Sequence, residues 1–569
     1  MKNNRFYLLI LSVIVLLALS PHNDLSETRI STDIIGCMPP PVNTIRPDAS
    51  GKYVSILPGW GNHSYKVATG SDSAQLYFDQ GLSLFYSYHG TEAYASFKEA
   101  ARFDPGMVMA YWGQALAEGP AYNYSYSYKM RKTVPAIITQ LNKMTTNASV
   151  KEKDLIDAIN SRYDITDTAD SKRLQLNQAY ATKMQALVKK YPDDIEIKAV
   201  YLDAVMVMHE WDFWNNNGTP KPWTPELVGL CETILQKDPR HPGALHYYIH
   251  VTEASRNPEV ALPGADVLQE MMPGVAHMVH MSSHEYERIG LYEKGVKVNE
   301  KAHYDLHLYD SLAKSLSLFT QSPHYLAVDA YCAMSGGMYT RGLSKAINCR
   351  NNVKPEHAKT ALQYMYSFPV LTMVRLGKWN EILTDKDAPP ADWSFSSLLY
   401  DFGKGMAYSS TGNTTMAMQY LQQLQKKTTD SILKIPFTPY RSSPYEIAVL
   451  AGYILEADIL FQQKNINACI ATLHKATTVE DNLLYAEPKA WMIPARQYLG
   501  HYLLLLKRAP EAEKVYLEDL TWNPGNGWSL LGLYQSLEAQ GKHEQAAEYK
   551  KRYLQSFSMA DEMPPGSVY

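Results

Sequence analysis

AQLYFDQGLSLFYSYHGTEAYASFKEAARFDPGM, residues Ala74 to Met107, is the stretch whose spacing decides the fold. Numbered from Ala74, the residues Tyr77, Gly81, Ala93, Phe97, Ala100 and Pro105 stand at positions 4, 8, 20, 24, 27 and 32. Small residues at 8 and 20 let two helices approach closely, and the aromatic ring at 24 fills the space between them. Asp104-Pro105 ends the second helix, because proline disfavours helical backbone in the residue before it.

This is the 34-residue tetratricopeptide frame. Counted from Ile493 it returns, with Gly500, Ala512, Tyr516 and Pro524 at positions 8, 20, 24 and 32, and the next unit, from about Gly527, has Ala546 at position 20. Between these ends the repeats are degenerate, but helix pairs are legible over 242–271, 274–305, 323–349, 357–383, 394–426 and 445–476. Alternating β-branched runs are few, so strands are not expected. The expected fold is all-α: a right-handed superhelical solenoid of antiparallel helix pairs from about residue 71 to 558. Its parts are a leader or anchor (1–20), an extended Pro-, Asn- and Ser-rich arm (21–70), repeats over 71–428, a linker (429–444) and C-terminal repeats (445–569). An aromatic insert, Glu210 to Trp223, interrupts the array, and its Trp residues read as a packing plug ahead of a ligand platform.

The chain has 569 residues and a formal net charge of -4, which gives no basic footprint for nucleic acid. Tyr outnumbers Phe, 41 to 13, so many helix faces carry a ring with a polar tip. The five cysteines, Cys37, Cys231, Cys332, Cys349 and Cys469, form no C-x-x-C, which excludes zinc-ribbon, thioredoxin-like and c-haem readings. One disulfide is still open to such a set in an oxidising compartment. Lys2 and Arg5 precede an apolar run from Phe6 to Leu19, which has signal-peptide length and is short for a membrane span. Ala18 and Ser20 fit a cleavage site and Pro21 does not, so an uncleaved anchor is the rival to a cleaved leader. Either way the expectation is export, to the periplasm or another extracytoplasmic space, with membrane contact only through that segment.

Two runs carry the chemistry. His246, His250 and Glu253 are spaced i, i+4, i+7, and His277, His280 and His284 are spaced i, i+3, i+7. At 3.6 residues per turn each trio falls within an arc of roughly 60° on its helix. An offset of 31 residues relates His246 to His277, Glu253 to His284 and Pro242 to Pro273. Both trios therefore fall on first helices of neighbouring repeats, on the concave face, with axes about 8–10 Å apart. At that distance they can share one or two metal ions, and His324, opening the next first helix, can cap the cluster. Five imidazoles and one carboxylate suit Zn or Cu, Fe less, and disfavour Ca or Mg. Tyr111, Trp112, Glu118, Tyr247 and Arg288 are read as groove lining, with core packing the competing role for Trp112 and a salt bridge for Arg288. His303, His307, His357, His474 and His501 read as ordinary hydrogen-bonded histidines.

The motifs resemble a large group of bacterial tetratricopeptide-repeat proteins. The resemblance runs from about Ser71 to the end. It rests on Gln80-Gly81 through Pro105, Ala110-Tyr111-Trp112-Gly113, His241-Pro242-Gly243-Ala244-Leu245-His246-Tyr247-Tyr248-Ile249-His250, and His277-Met278-Val279-His280-Met281-Ser282-Ser283-His284 with Arg288 and Gly290. Tyr485 to Arg496 and Asn523 to Trp528 carry it at the C-terminal end. It implies an all-helical repeat fold and names no activity. Met208-His209-Glu210-Trp211 departs from the group's hydrophobic-Pro-Trp pattern, so the resemblance gives His209 no ligand role.

Three functions follow from the same residues: a scaffold with a metal site on its concave face, a peptide- or protein-binding scaffold without metal, and a metalloenzyme, hydrolytic or oxidative, with an open coordination position. The occupant of the groove is then a protein, a peptide or a small molecule. No H-E-x-x-H, G-x-S-x-G, phosphate loop or G-x-G-x-x-G is present, so the third reading leans on Glu253 or Glu118 as base.

Overall fold

The structure is a computed structural model and describes residues 45–312, 323–353 and 359–569. Among these residues it contains helices and no sheet, with one isolated bridge, Trp214 to Pro220, in the aromatic insert. The predicted pairs are present. α1 (Asp72–Tyr86) and α2 (Gly90–Phe103) open the array, and α3 (Val108–Ala117) packs on them. α4 (Val134–Lys143), α5 (Val150–Asn160), α6 (Arg173–Lys190), α7 (Ile195–Met208) and α8 (Thr224–Lys237) lead to the central repeats. These are α9 (Pro242–Thr252) with α10 (Leu262–Met271), α11 (Ala276–Arg288) with α12 (Tyr292–Leu312), and α13 (Pro323–Ser335) with α14 (Tyr339–Asn351). The pair expected over 357–383 is three short helices, α15 (Thr360–Tyr366), α16 (Phe368–Arg375) and α17 (Trp379–Thr384), because Pro369 starts a new helix at its N-terminus. The C-terminal half continues with α18 (Ser394–Ser410) and α19 (Thr414–Lys427), then α20 (Pro444–Gln462) and α21 (Ile466–Asp481). Last come α22 (Ala495–Leu505) with α23 (Ala509–Trp522) and α24 (Gly527–Glu538) with α25 (His543–Ser556).

The glycine–aromatic logic of the repeat is visible at both ends. A Cβ on Gly81 would lie 2.7 Å from the Phe97 ring and one on Gly113 2.5 Å from it, so two successive first helices close on one aromatic side chain. Gly500 and Gly532 bracket Tyr516 in the same way. Phe97 has no exposed surface. Phe97→Ala is expected to cost about 3–5 kcal/mol, the range for a buried ring lost from a close-packed core. Denaturant unfolding checks this, and a loss under about 1 kcal/mol, the size of an ordinary surface change, would show that the ring is not the spacer.

The array does not leave its central face open. The described part of the arm, 45–70, straps α1 and crosses the Pro273-Gly274 turn, where Gly274 donates its N–H to Gly59 O at 3.1 Å. From the other side the C-terminal repeats fold onto the central ones: Gly525 N donates to Arg288 O at 3.2 Å and Trp528 Nε1 to Ser335 O at 2.8 Å. The stretch read as a linker contains a short helical turn, Ser431–Lys434, and its far end, Tyr440 and Arg441, packs on Tyr126 and Trp211. Cys231, Cys332, Cys349 and Cys469 are buried free thiols; Cys37 and the leader lie outside the described residues. No helix among the described residues is long and apolar enough to cross a membrane.

Candidate metal centre

α9, α11 and α13 are first helices of three successive pairs, and each turns its histidines to the same interior point. His246, His250 and His277 bring one nitrogen each to within 4.8 Å of one another, and so do His280, His284 and His324. The two triads are contiguous. Ring centroids of His277 and His280 are 6.3 Å apart, and His246 Nε2 faces His277 Nε2 at 2.9 Å. His284 Nε2 lies 3.5 Å from His324 Nε2. Glu253 stands beside the second triad, where it forms a third ligand-like group with His284 and Glu487. Glu487 sits in the turn before α22, with Oε2 at 3.3 Å from His284 Nε2.

The centre is sealed. All six imidazoles, Glu253 and Glu487 are at most 1% exposed, so the cluster does not line a wet concave groove. The expectation of an open groove is corrected here: Tyr88, Tyr122 and Trp211 roof His250 on one side, and Tyr485 with Glu487 closes the other. The Tyr88 ring packs at 4.5 Å on His246, and Tyr88 holds a φ of 58° to put it there. A bulky residue in left-handed backbone is strained, which marks the clamp on the first triad.

Burial fixes the protonation states. It pushes His250 and His280 down to about 3, and burial with neighbouring imidazoles holds His246, His277, His284 and His324 well below the usual range. All six are neutral at pH 7. Burial raises Glu253 to about 8 and drives Glu487 upward, the latter also through the facing Glu253. The two carboxyls hydrogen-bond to each other, which requires a proton between them.

Hydrogen bonds then decide which nitrogen each ring presents. His246 Nδ1 donates to Tyr86 O at 2.6 Å, His250 Nδ1 to Glu253 Oε1 at 3.0 Å, and His280 Nδ1 to Asn299 Oδ1 at 2.6 Å. Asn299 is oriented by its own Nδ2 donating to Gly295 O at 2.8 Å. Each of these rings therefore carries its proton on Nδ1 and a lone pair on Nε2. His250 Nε2 and His280 Nε2, one in each triad, are buried with no hydrogen-bond partner.

A further group, His63, Glu196 and His241, has the composition of a metal site and not the chemistry. His241 Nδ1 accepts the Ala244 N–H at 3.1 Å and caps α9, so its proton is on Nε2, which points at Glu196 Oε1 at 3.2 Å. That nitrogen is a donor with no lone pair to give. His63 completes an ion pair with Glu196 at 2.8 Å. Burial alone would lower His63, but the Glu196 hydrogen bond and charge raise it; burial would raise Glu196, but His241 and His63 hold it below the usual carboxylate range. A raised His gives stability present below its unfolded value near 6.5 and lost as pH rises through the folded value. The depressed Glu gives stability lost only in strong acid. The melting-temperature deficit of His63→Ala is therefore expected to be largest near pH 5–6 and to shrink by pH 9; an equal deficit at both would show that packing alone is lost.

The other expected site residues lie elsewhere. Trp112 is buried in the core near Tyr86, Tyr111 is half-buried against the same core, and Glu118 pairs with Arg131 at 3.4 Å and bonds Thr133. None of these three lines a groove with the histidines, because the first repeats are packed solid there. Tyr247 is buried, stacked at 5.8 Å on Tyr88, close to Asp203. Among the described residues Arg288 makes no salt bridge. Its N–H groups hold the carbonyls of Glu253, Ser255 and Trp522 at 2.8, 2.8 and 3.1 Å, tying the site to the C-terminal repeats. His209 stacks on Trp223 at 3.6 Å, His474 is exposed and His501 is apart from the cluster; His357 and the His307 side chain lie outside the described residues. Sequence reasoning missed Glu487, Asn299 and Tyr88. Glu487 and Tyr88 fall in quoted motifs, and nothing in the spacing of either ties it to the helices that carry the histidines.

No protein-family profile and no curated protein matches the chain. Among solved structures it is similar to human IFIT1, described as a dimer with m7Gppp-AAAA, at 14% identity and a TM-score of 0.30, over 87% of this chain and 92% of that one. Yeast Tom70 is similar at 12% identity and a TM-score of 0.26, over 85% and 90%. At such scores the superpositions are loose, and the repeat class rests on the chain's own helix pairs and glycine–aromatic contacts.

Proposed function

We propose that the protein is an exported helical-repeat protein whose interior holds two metal ions, zinc or copper, one in each histidine triad. The observation that carries this is the pair of orphaned nitrogens, His250 Nε2 and His280 Nε2. Their rings are locked by Nδ1 hydrogen bonds to Glu253 and Asn299, the support that metal-ligating histidines ordinarily have. A buried acceptor without a partner costs about 1–3 kcal/mol, and a fold that placed two of them gains nothing from imidazole as such. An ion bound in each triad would satisfy both. All-imidazole donors suit zinc and copper, and each triad already gathers one nitrogen per ring within 4.8 Å of the others. Elemental analysis of untagged protein tests the reading. About two equivalents per chain are expected in wild type. Stoichiometric loss in the His250→Ala/His280→Ala variant would support the assignment, and metal-free wild type would return the scaffold reading.

Three histidines per ion leave a coordination position free, which is the arrangement of catalytic rather than structural zinc. Glu253, hydrogen-bonded to His250 and raised to about 8, is placed to exchange a proton there, so metal-dependent hydrolysis or oxidation is the second reading. Metal-dependent turnover that disappears in Glu253→Gln with metal still bound is its test. Export rests on residues 1–19 and is tested by cell fractionation with N-terminal sequencing.

A further inference from the structure

Next to the centre, and separate from it, lies a cavity of about 480 Å³ between the aromatic insert and the C-terminal repeats. Trp211, Trp214, Tyr485 and Trp522 form its apolar walls. The volume lies in the range of small-molecule sites, and four ring systems give flat surfaces on which another ring can stack.

Charge around the cavity is not balanced. Lys221 is paired with Asp212 at 2.8 Å, and Arg496 holds Asp481 through two bonds of 2.6 and 2.8 Å. Arg288 is spent on carbonyls, as described above. Arg256 and Lys489 remain, and among the described residues no carboxylate stands within ion-pairing distance of either. The two carboxyls left in the wall are engaged elsewhere. Glu480 accepts the Ala495 N–H at 2.7 Å, and Asp519 accepts from Ser529 and Asn523 at 2.5 and 3.0 Å. Burial moreover raises Glu480 to about 7 and raises Asp519, which weakens their negative charge.

Arg256 is held as a recognition group would be. Its guanidinium lies 4.7 Å from the Trp522 ring, and the backbone of Gly218 rests on its stem, where a Cβ would be 2.5 Å from Cδ and Nε. Its Nε is buried without a partner. A guanidinium fixed on an aromatic face, with N–H donors unspent and no counter-ion, is built for a carboxylate. Lys489 supplies a second positive charge in the same wall.

We propose that this cavity is a binding site for a small aromatic carboxylate, its ring stacked among Trp211, Trp214, Tyr485 and Trp522 and its carboxylate on Arg256 and Lys489. The site does not depend on the metal reading. Tyr485 touches both regions, since its hydroxyl donates to Glu487 Oε1 at 3.0 Å, so an occupant would lie one side chain from the second triad.

The test titrates the full-length protein with indole-3-acetate and phenylacetate, following tryptophan fluorescence and heat, with indole-3-acetamide and acetate as controls. Saturable binding of the aromatic acids is expected, at least about tenfold tighter than the amide, since hydrogen bonds to charged partners exceed neutral ones by that order. Acetate should bind at least as weakly as the amide. Arg256→Gln should weaken the acids about tenfold or more, with metal content unchanged, which separates failure of this site from failure of the metal centre. Equal affinity for acid and amide would overturn the proposal. So would acetate binding as tightly as indole-3-acetate, no saturation by millimolar acid, or full affinity in Arg256→Gln. The acid–amide comparison on wild type decides the matter even if the variant does not fold.

Discussion

Restoring Zn²⁺ to chelator-stripped protein is expected to raise the melting temperature of the central repeats by roughly 15–30 °C when both triads fill, at free metal about a thousandfold above the dissociation constant. Such an excess stabilises by about 4 kcal/mol per site, and each kcal/mol moves a domain of this size class by about 2–4 °C. The transition to follow is that of α9 to α14, because long repeat arrays need not unfold in one step. The rise has a structural source: each triad spans more than one helix, His246 and His250 with His277 in the first, His280 and His284 with His324 in the second. An ion bound in each triad would therefore tie neighbouring repeats together at a junction that otherwise has only neutral rings and orphaned lone pairs. In His250→Ala/His280→Ala the metal-dependent rise should vanish. The apo melting temperature should fall less, because each change removes an unsatisfied acceptor along with its packing. A rise that survives in the double variant would place the metal elsewhere. Wild type that binds no zinc or copper, and shows no rise with either, would leave the cluster as a hydrogen-bonded core.

Much of this was legible in the chain because it is local. Gly81, Ala93 and Phe97 state a helix-pair geometry within one repeat, and the structure closes Gly81 and Gly113 on Phe97. The histidine trios were legible because helical spacing within α9 and α11 sets which residues share a stripe, and the 31-residue offset sets which stripes adjoin. What did not follow was everything that depends on how distant repeats meet. Periodicity places α11 beside α9, and says nothing of whether α22 to α25 return to cover them. The site was therefore expected in a wet groove and is instead sealed. Glu487, which lies in an irregular turn, and Tyr88, whose left-handed backbone no helical pattern encodes, were invisible for the same reason. The partners of Arg288 were not legible, because they are carbonyls, which carry no sequence signature.

Gly290→Ala is the substitution that should test this closure most sharply. Gly290 has a φ of 77°, and its backbone lies directly against Gly525 in the turn before α24. A Cβ there would overlap the Gly525 carbonyl oxygen, while one on Gly525 would overlap the Ile289 carbonyl, so neither chain can yield by a rotamer change. The hydrogen bond from Gly525 N to Arg288 O sits in the same contact. Left-handed backbone costs an alanine about 1 kcal/mol, and forced separation of two packed backbones adds roughly 2–3 kcal/mol more. Gly412→Ala is the control, since Gly412 has a φ of 86° and no atom within 4 Å of its Cβ position, and so carries the conformational cost alone. Denaturant unfolding should show Gly290→Ala losing clearly more stability than Gly412→Ala. Hydrogen exchange should rise at Tyr485–Glu487 and at α11. The two triads should also respond differently. The second is walled by Tyr485 and Glu487, which come with the C-terminal repeats, whereas the first is walled by Tyr86, Tyr88 and Tyr122 from the N-terminal ones. Opening the contact should therefore weaken one of two metal equivalents and spare the other. If Gly290→Ala costs no more than Gly412→Ala, the Gly290–Gly525 contact does not hold the array closed. If both equivalents weaken together, the triads are a single centre.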